Sequence, residues 1–197
     1  MEIIRFAGIR PEPWRNGGGV TREIARHPLT GEWDWRVSIA EVGTAGAFST
    51  FAGMERVISV IDGELLLLTV DGVEHAMEKY RPFRFSGDAE SGSALPMGDI
   101  RDLNVIARRG AYKGYLSILE LSKKRAHPVF DGQLAILLEG KAAANDDGGE
   151  GTGEPVELSR YDAVVGTDEG SPELLGRGFV AVISIDPVSE DSKEEPA

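Results

Sequence analysis

Apolar residues along this chain fall at alternate positions or in short runs bounded by Gly, Pro and Asp, and nowhere at sustained helical spacing. The pattern predicts strands near 2–6, 20–26, 33–42, 55–62, 64–71, 73–77, 82–85, 101–109, 112–121, 129–139, 155–158, 161–165 and 178–186. Asp62-Gly63 and Asp71-Gly72 each sit between apolar runs as hairpin signals, which predicts a three-strand meander over 57–77. Many short strands with no alternating helices place the chain in the all-β class, as a closed barrel or a sandwich.

A faint internal echo accompanies the pattern. Val60-Ile61-Asp62-Gly63-Glu64 is followed by Tyr80-Arg81-Pro82-Phe83, and Leu137-Leu138-Glu139-Gly140-Lys141 by Ser159-Arg160-Tyr161-Asp162-Ala163. Each copy is an apolar strand ending in acid-Gly, with a Tyr-containing strand start some 20 residues later, so the half beyond about 112 is expected to repeat the architecture of the first.

Two strands carry polar faces. In Trp33-Asp34-Trp35-Arg36-Val37-Ser38-Ile39-Ala40 a period of two sends Trp33, Trp35, Val37 and Ile39 one way and Arg36, Ser38 and Ala40 the other. In 101–109, Asp102, Asn104, Ile106 and Arg108 share a face opposite Leu103, Val105 and Ala107. Such faces either meet water or line the inside of one barrel. A buried arginine must be paired, and Asp102 or Asp88 would serve. Asp88, after Phe83-Arg84-Phe85-Ser86-Gly87, reads equally as a turn-capping residue.

The run Pro13-Trp14-Arg15-Asn16-Gly17-Gly18-Gly19-Val20-Thr21 is the densest candidate for chemistry. Three glycines permit positive φ and close backbone approach, so N–H groups could hold an anion beside Arg15 and Asn16. The plain alternative is a bulged turn with Trp14 in the core. It is not a phosphate loop, since Gly-Lys-Ser/Thr is missing and a strand follows.

Composition narrows the functional classes. Gly 25 and Pro 10 make turn-formers about 18% of 197 residues, against 41% hydrophobic and 27% charged. The net charge of −12 argues against nucleic acid and membrane surfaces as partners. Two stretches, 141–154 and 188–197, carry −3 each; 145–153 is expected as a mobile loop and 188–197 as a disordered acidic tail. With no Cys and three widely separated histidines, His27, His75 and His127, no metal site and no cofactor are expected, and a reducing cytoplasm fits.

Trp14-Arg15-Asn16-Gly17-Gly18-Gly19 with Glu23-Ile24-Ala25, then Trp35-Arg36-Val37-Ser38-Ile39-Ala40, Gly46-Ala47-Phe48-Ser49-Thr50-Phe51-Ala52-Gly53, Arg56, Phe83-Arg84-Phe85-Ser86-Gly87-Asp88 and Asp102-Leu103-Asn104 together resemble the HutD/Ves family. The resemblance runs in order from about 3 to 109. Arg15 stands where that family usually has Lys, and Leu103 where it has Phe. The resemblance implies double-stranded β-helix (cupin) barrels in a bicupin, RmlC-like architecture: a barrel over 1–110 carrying the motifs, a cupin-like barrel over 111–187, and the tail. It further implies a metal-free bacterial protein associated with histidine utilisation, in which a regulatory role has been proposed through an intermediate such as N-formylglutamate or urocanate.

The resulting expectation is a small carboxylate metabolite bound in the N-terminal barrel. Arg15 and Arg36 would hold carboxylates, Asn16, Ser38 and Asn104 would supply neutral hydrogen bonds, and Asp88 or Asp102 would orient the arginines. Two rivals stand beside it. One is a cofactor-free isomerase or hydrolase with Asp88 or Glu23 as general base. The other is an interaction module whose outer barrel faces form a homodimer or a partner surface.

Overall fold

The computed structural model describes residues 1–146, 154–168 and 170–189. Most of the loop expected over 145–153 and of the tail over 188–197 lies outside the described residues. The chain divides into two compact units. The N-terminal unit is Pro13–Tyr115 together with the described residues from Ile185, and the C-terminal unit is Met1–Glu12 with Leu116–Ser184. The first dozen residues, expected in the N-terminal barrel, therefore belong with the other unit.

In the N-terminal unit one sheet runs in the order β2 (Glu12–Pro13), β3 (Gly19–His27), β4 (Trp35–Val42), β11 (Ile100–Arg108), β6 (Met54–Asp62) and β9 (Phe83–Ser86). A second runs β5 (Gly46–Ala47), β10 (Ser91–Ala94), β7 (Leu65–Val70), β8 (Val73–Glu78). Their inner faces meet in one core, where Ala40, Val42, Ile58, Val60 and Ile100 pack with Leu66, Leu68, Met77 and Phe85. Asp71-Gly72 makes the expected hairpin, with Val70 opposite Val73 and both turn residues at positive φ. Asp62-Gly63 does not. Gly63, at φ +83°, instead turns a corner that carries the chain from the first sheet to the second.

The C-terminal unit is built on one sheet, in the order β1 (Glu2–Ile4), β16 (Ala163–Val165), β14 (Gln133–Asn145), β17 (Glu173–Pro187), β12 (Tyr112–Leu121), with β13 (His127–Pro128) on β17 and β15 (Val156–Leu158) on β14. Its long strands β14 and β17 cross where Gly140 faces Gly178, at φ +98° and +123°. A Cβ on either would lie within 2.0 Å of the opposite carbonyl oxygen, so the backbones can approach only as glycines. Among the described residues the one helical element is the short 3-10 turn Phe6–Gly8, and no helix is long and apolar enough to cross a membrane.

The internal echo is real at the level of single hydrogen bonds. Tyr80 N donates to Val60 O at 2.8 Å, and Tyr161 N to Leu137 O at 2.6 Å. Both tyrosines adopt positive φ, +66° and +71°, and each ring lies beneath the cation that precedes it, Lys79 at 4.8 Å and Arg160 at 4.7 Å. The ladder of β6 with β11 slips at Ile61, where Val60 faces Asp102 and Asp62 faces Arg101. The ladder of β14 with β17 slips at Leu138, where Leu137 faces Val180 and Glu139 faces Phe179. These pairings put the rungs of β6 from Arg56 to Asp62 in correspondence with those of β14 from Gln133 to Glu139.

Candidate functional site

The alternation read in the sequence holds, and the register decides which faces look inward. Asn104 lies between Ser38 on β4 and Ile58 on β6, Asp102 between Ala40 and Val60, and Ile106 between Arg36 and Arg56. Directly paired residues share a face. Arg36, Ser38, Arg56, Asp102 and Asn104 therefore point to the same side as the core residues Ala40, Ile58 and Val60. Asp102 is 1% exposed, Arg56 5% and Asn104 7%.

A relay joins three of them. Arg56 Nη2 donates to Asn104 Oδ1 at 2.9 Å, and Asn104 Nδ2 donates to Asp102 Oδ1. Arg56 Nη1 reaches the Ser49 carbonyl at 3.3 Å, while its Nε has no hydrogen-bond partner among the described residues. Aromatic faces line both guanidiniums. Arg56 lies 4.8 Å from the Phe85 ring and 5.3 Å from Phe51; Arg36 lies 5.6 Å from the same Phe51 ring and 4.9 Å from Trp33. Burial pushes the Asp102 carboxyl up to about 7, against the pull of Arg56 and the Asn104 bond. Burial likewise pushes Arg56 down to about 10; Asp102 opposes that shift and the nearby charge of Arg36 adds to it.

The other expected site residues lie elsewhere. Arg15 and Asn16 are exposed on the turn before β3, where Asn16 Oδ1 accepts from Gly18 N at 3.0 Å. That turn adjoins Gly19, which pairs with Val42 at the far end of β4, six residues from Arg36, or about 20 Å of strand. Arg36 and Arg15 are thus not neighbours. Close packing explains the last glycine, since a Cβ on Gly19 would meet the Glu41 carbonyl at 2.4 Å. A cleft of about 530 Å³ opens beside the turn, lined in part by Glu41, Asp62, Asp99 and Arg101. Arg101 spans Glu41 at 3.3 Å and Asp62 at 3.7 Å. Burial raises Glu41, but Arg22 and Arg101 more than reverse it and leave the carboxyl lowered.

Asp88 is not the partner of a buried arginine. It accepts from Gly53 N at 2.9 Å, Arg109 Nη2 at 2.8 Å and Ser86 Oγ at 3.1 Å, all at the surface, and these bonds lower its carboxyl, the Gly53 N–H most. Arg56 is the residue the candidate set lacked. A signal existed: an arginine two and four positions before Ile58 and Val60, in a strand otherwise apolar inside, occupies an inward position.

The family model described as HutD matches residues 7–182. The chain belongs to the HutD family. It is 32% identical over 179 residues, 89% of this chain and 90% of the other, to an uncharacterised 21.2 kDa protein from the hutC 3′ region of Pseudomonas putida. Protein Ves of Citrobacter koseri is 39% identical over 123 residues, 59% of this chain and 64% of Ves. The solved HutD of Pseudomonas fluorescens superimposes with a TM-score of 0.77 at 31% identity, covering 95% of this chain and 99% of that one. A cupin 2 conserved barrel domain protein from Leptotrichia buccalis, at 10% identity and a TM-score of 0.60 over 95% and 96% of the two chains, shows the fold alone. The fold is that of the cupins. Within this HutD chain no group of three or more His, Cys, Asp or Glu gathers among the described residues as a metal-binding set.

Proposed function

We propose that the N-terminal barrel binds a small carboxylate metabolite, such as N-formylglutamate or urocanate, and that the protein thereby regulates histidine utilisation. Arg36 and Arg56 hold the carboxylate, Ser38 and Asn104 give neutral hydrogen bonds, and Asp102 fixes the Asn104 amide so that its oxygen faces Arg56. The supporting observation is internal to the chain. By the matched ladders, the positions of Asp102 and Asn104 correspond to Val180 and Val182, and that of Arg56 to Gln133. The C-terminal core is apolar there, with Ala135, Leu137, Val180 and Val182 packed together. At the positions of Asp102 and Asn104 the same frame folds with valines, so this buried acid and amide are not something the fold demands. Their retention costs desolvation that a ligand offsets. The guanidiniums of Arg36 and Arg56, on one face with Ser38 and Asn104, offer an anion charge-assisted and neutral hydrogen bonds together.

Association with histidine utilisation rests on the HutD family and on the hutC-region relative. The lack of cysteine suits a cytoplasmic setting. Of the two bases the catalytic alternative offers, Asp88 is held ionised by three hydrogen bonds and so is a poor proton acceptor, while Glu23 lies 3.9 Å from Arg26. The test is a thermal-shift screen over histidine-pathway intermediates and small mono- and dicarboxylates, followed by calorimetry. A ligand at 100 times its dissociation constant adds about 2.7 kcal/mol of stability. Failure of every carboxylate, or binding that survives loss of both Arg36 and Arg56, overturns the reading.

A further inference from the structure

Asp102 is a buried acid whose hydrogen bond to Asn104 is indifferent to its protonation. A carboxylic acid still accepts at its carbonyl oxygen, so the relay to Arg56 survives when Asp102 gains a proton. A second anion near the two guanidiniums changes the balance. It competes for the same positive charge and repels Asp102, and like charges sharing a buried site do not both stay ionised. We propose that Asp102 couples ligand binding to proton uptake: a carboxylate that settles between Arg36 and Arg56 drives a proton from solvent onto Asp102, so that anion and proton enter together. The proposal rests on the carboxylate-binding reading above and adds the regulation of that site.

The charged and titratable groups facing this interior are few. β4 contributes Arg36, β6 contributes Arg56, β3 contributes Glu23 and Arg26, which lie 3.9 Å apart, and the end of β11 contributes Arg108, paired with Asp34 at 2.6 Å. From the second sheet β8 contributes His75, opposite Leu68 and 4.4 Å from the Phe83 ring. β9 presents Phe83 and Phe85, and β7 presents leucines. Asp102 is thus the acid buried among the guanidiniums, while Glu23 stays partly exposed. With its midpoint raised to about 7, Asp102 is about half protonated at pH 7. The proton taken up on binding is therefore about half an equivalent at pH 7, rising towards one at higher pH. Affinity falls by up to tenfold per pH unit above the midpoint of the empty site, until the midpoint of the occupied site is passed.

Sodium formate and N-formylglutamate are the probes, because carboxylates of ordinary pKa carry no titrating proton between pH 6 and 8. Each is titrated calorimetrically into the full chain at pH 7.5 in HEPES and in Tris, buffers of different ionisation enthalpy. Expected are binding heats that differ between the buffers by the equivalent of half to one proton, and a slope that falls to zero in Asp102→Asn. Carbon NMR of the wild-type Asp102 carboxyl, assigned through its backbone, gives a second reading that needs no variant. Its titration midpoint moves upward when the probe saturates the site. Binding with buffer-independent heat, or a midpoint unmoved by the probe, overturns the coupling and leaves the carboxylate site standing. No binding of either probe overturns both.

Discussion

Asp102→Asn makes the cost of the buried acid measurable in the ligand-free protein. In the folded state the carboxyl is raised to about 7, whereas an exposed Asp in the unfolded chain titrates near 3.8. Between those values the folded state binds the extra proton, so stability is fully present at low pH and is lost as pH rises through 7. Integrated from pH 5 to pH 8, one such group costs about 2 to 3 kcal/mol. Histidines titrate in the same interval, and His127, lowered by burial, acts in the opposite sense. The double difference, variant minus wild type at pH 8 less the same at pH 5, removes them. Urea unfolding at pH 5, 6, 7 and 8 supplies it, and the variant gains relative to the wild type by about 2 to 3 kcal/mol across the range. A difference independent of pH would refute the reasoning, because Asp102 would then ionise in its buried position at no cost.

Truncating Arg36 to Ala weakens carboxylate binding by roughly 2 to 5 kcal/mol, and Arg36→Lys restores only part, since an ammonium cannot form two parallel bonds; calorimetry beside unfolding curves checks this, and equal affinities refute it. Arg15→Ala leaves affinity within about twofold, because its turn lies at the other end of β4, and a large loss would place the ligand at that end instead. Gly19→Ala destabilises by about 1 to 3 kcal/mol through its clash with the Glu41 carbonyl. Gly46→Ala, with nothing within 4 Å of the added carbon, is the near-neutral control in the same urea series. Purified protein carries no stoichiometric transition metal and keeps its melting temperature in chelator; one equivalent of zinc, iron or manganese after dialysis would overturn this.

Much of this fold was legible because period-two patterning and turn chemistry act locally. The strand over 112–121 matches β12 residue for residue, and Asp71-Gly72 folds as its residues dictate. What escaped was set by partners distant in sequence. Ser91–Ala94 is a strand without β-branched residues, held by β7 and β5 on either side. Gly140 looked like the end of a strand, yet β14 runs through it to Asn145 because Gly178 faces it across the ladder. Asp62-Gly63 has the residues of a hairpin and the role of a corner, a choice made by the second sheet. The site divides the same way. Alternation placed Arg36, Ser38, Asp102 and Asn104 on shared faces, but only the register of β6 brings in Arg56, and only the length of β4 separates Arg15 from the rest.

The left-handed tyrosines, Tyr80 and Tyr161, mark a housing that is indifferent to its contents. Each pins the return of the chain with one backbone bond, and neither bond consults the side chains inside. A barrel built this way can be refilled. Where one unit carries Arg56, Asp102 and Asn104 the other carries Gln133, Val180 and Val182 at the matching rungs, so within this single chain one frame holds two different fillings. New specificities are therefore reachable by altering a handful of inward positions while every corner, bulge and strand end stays as it is.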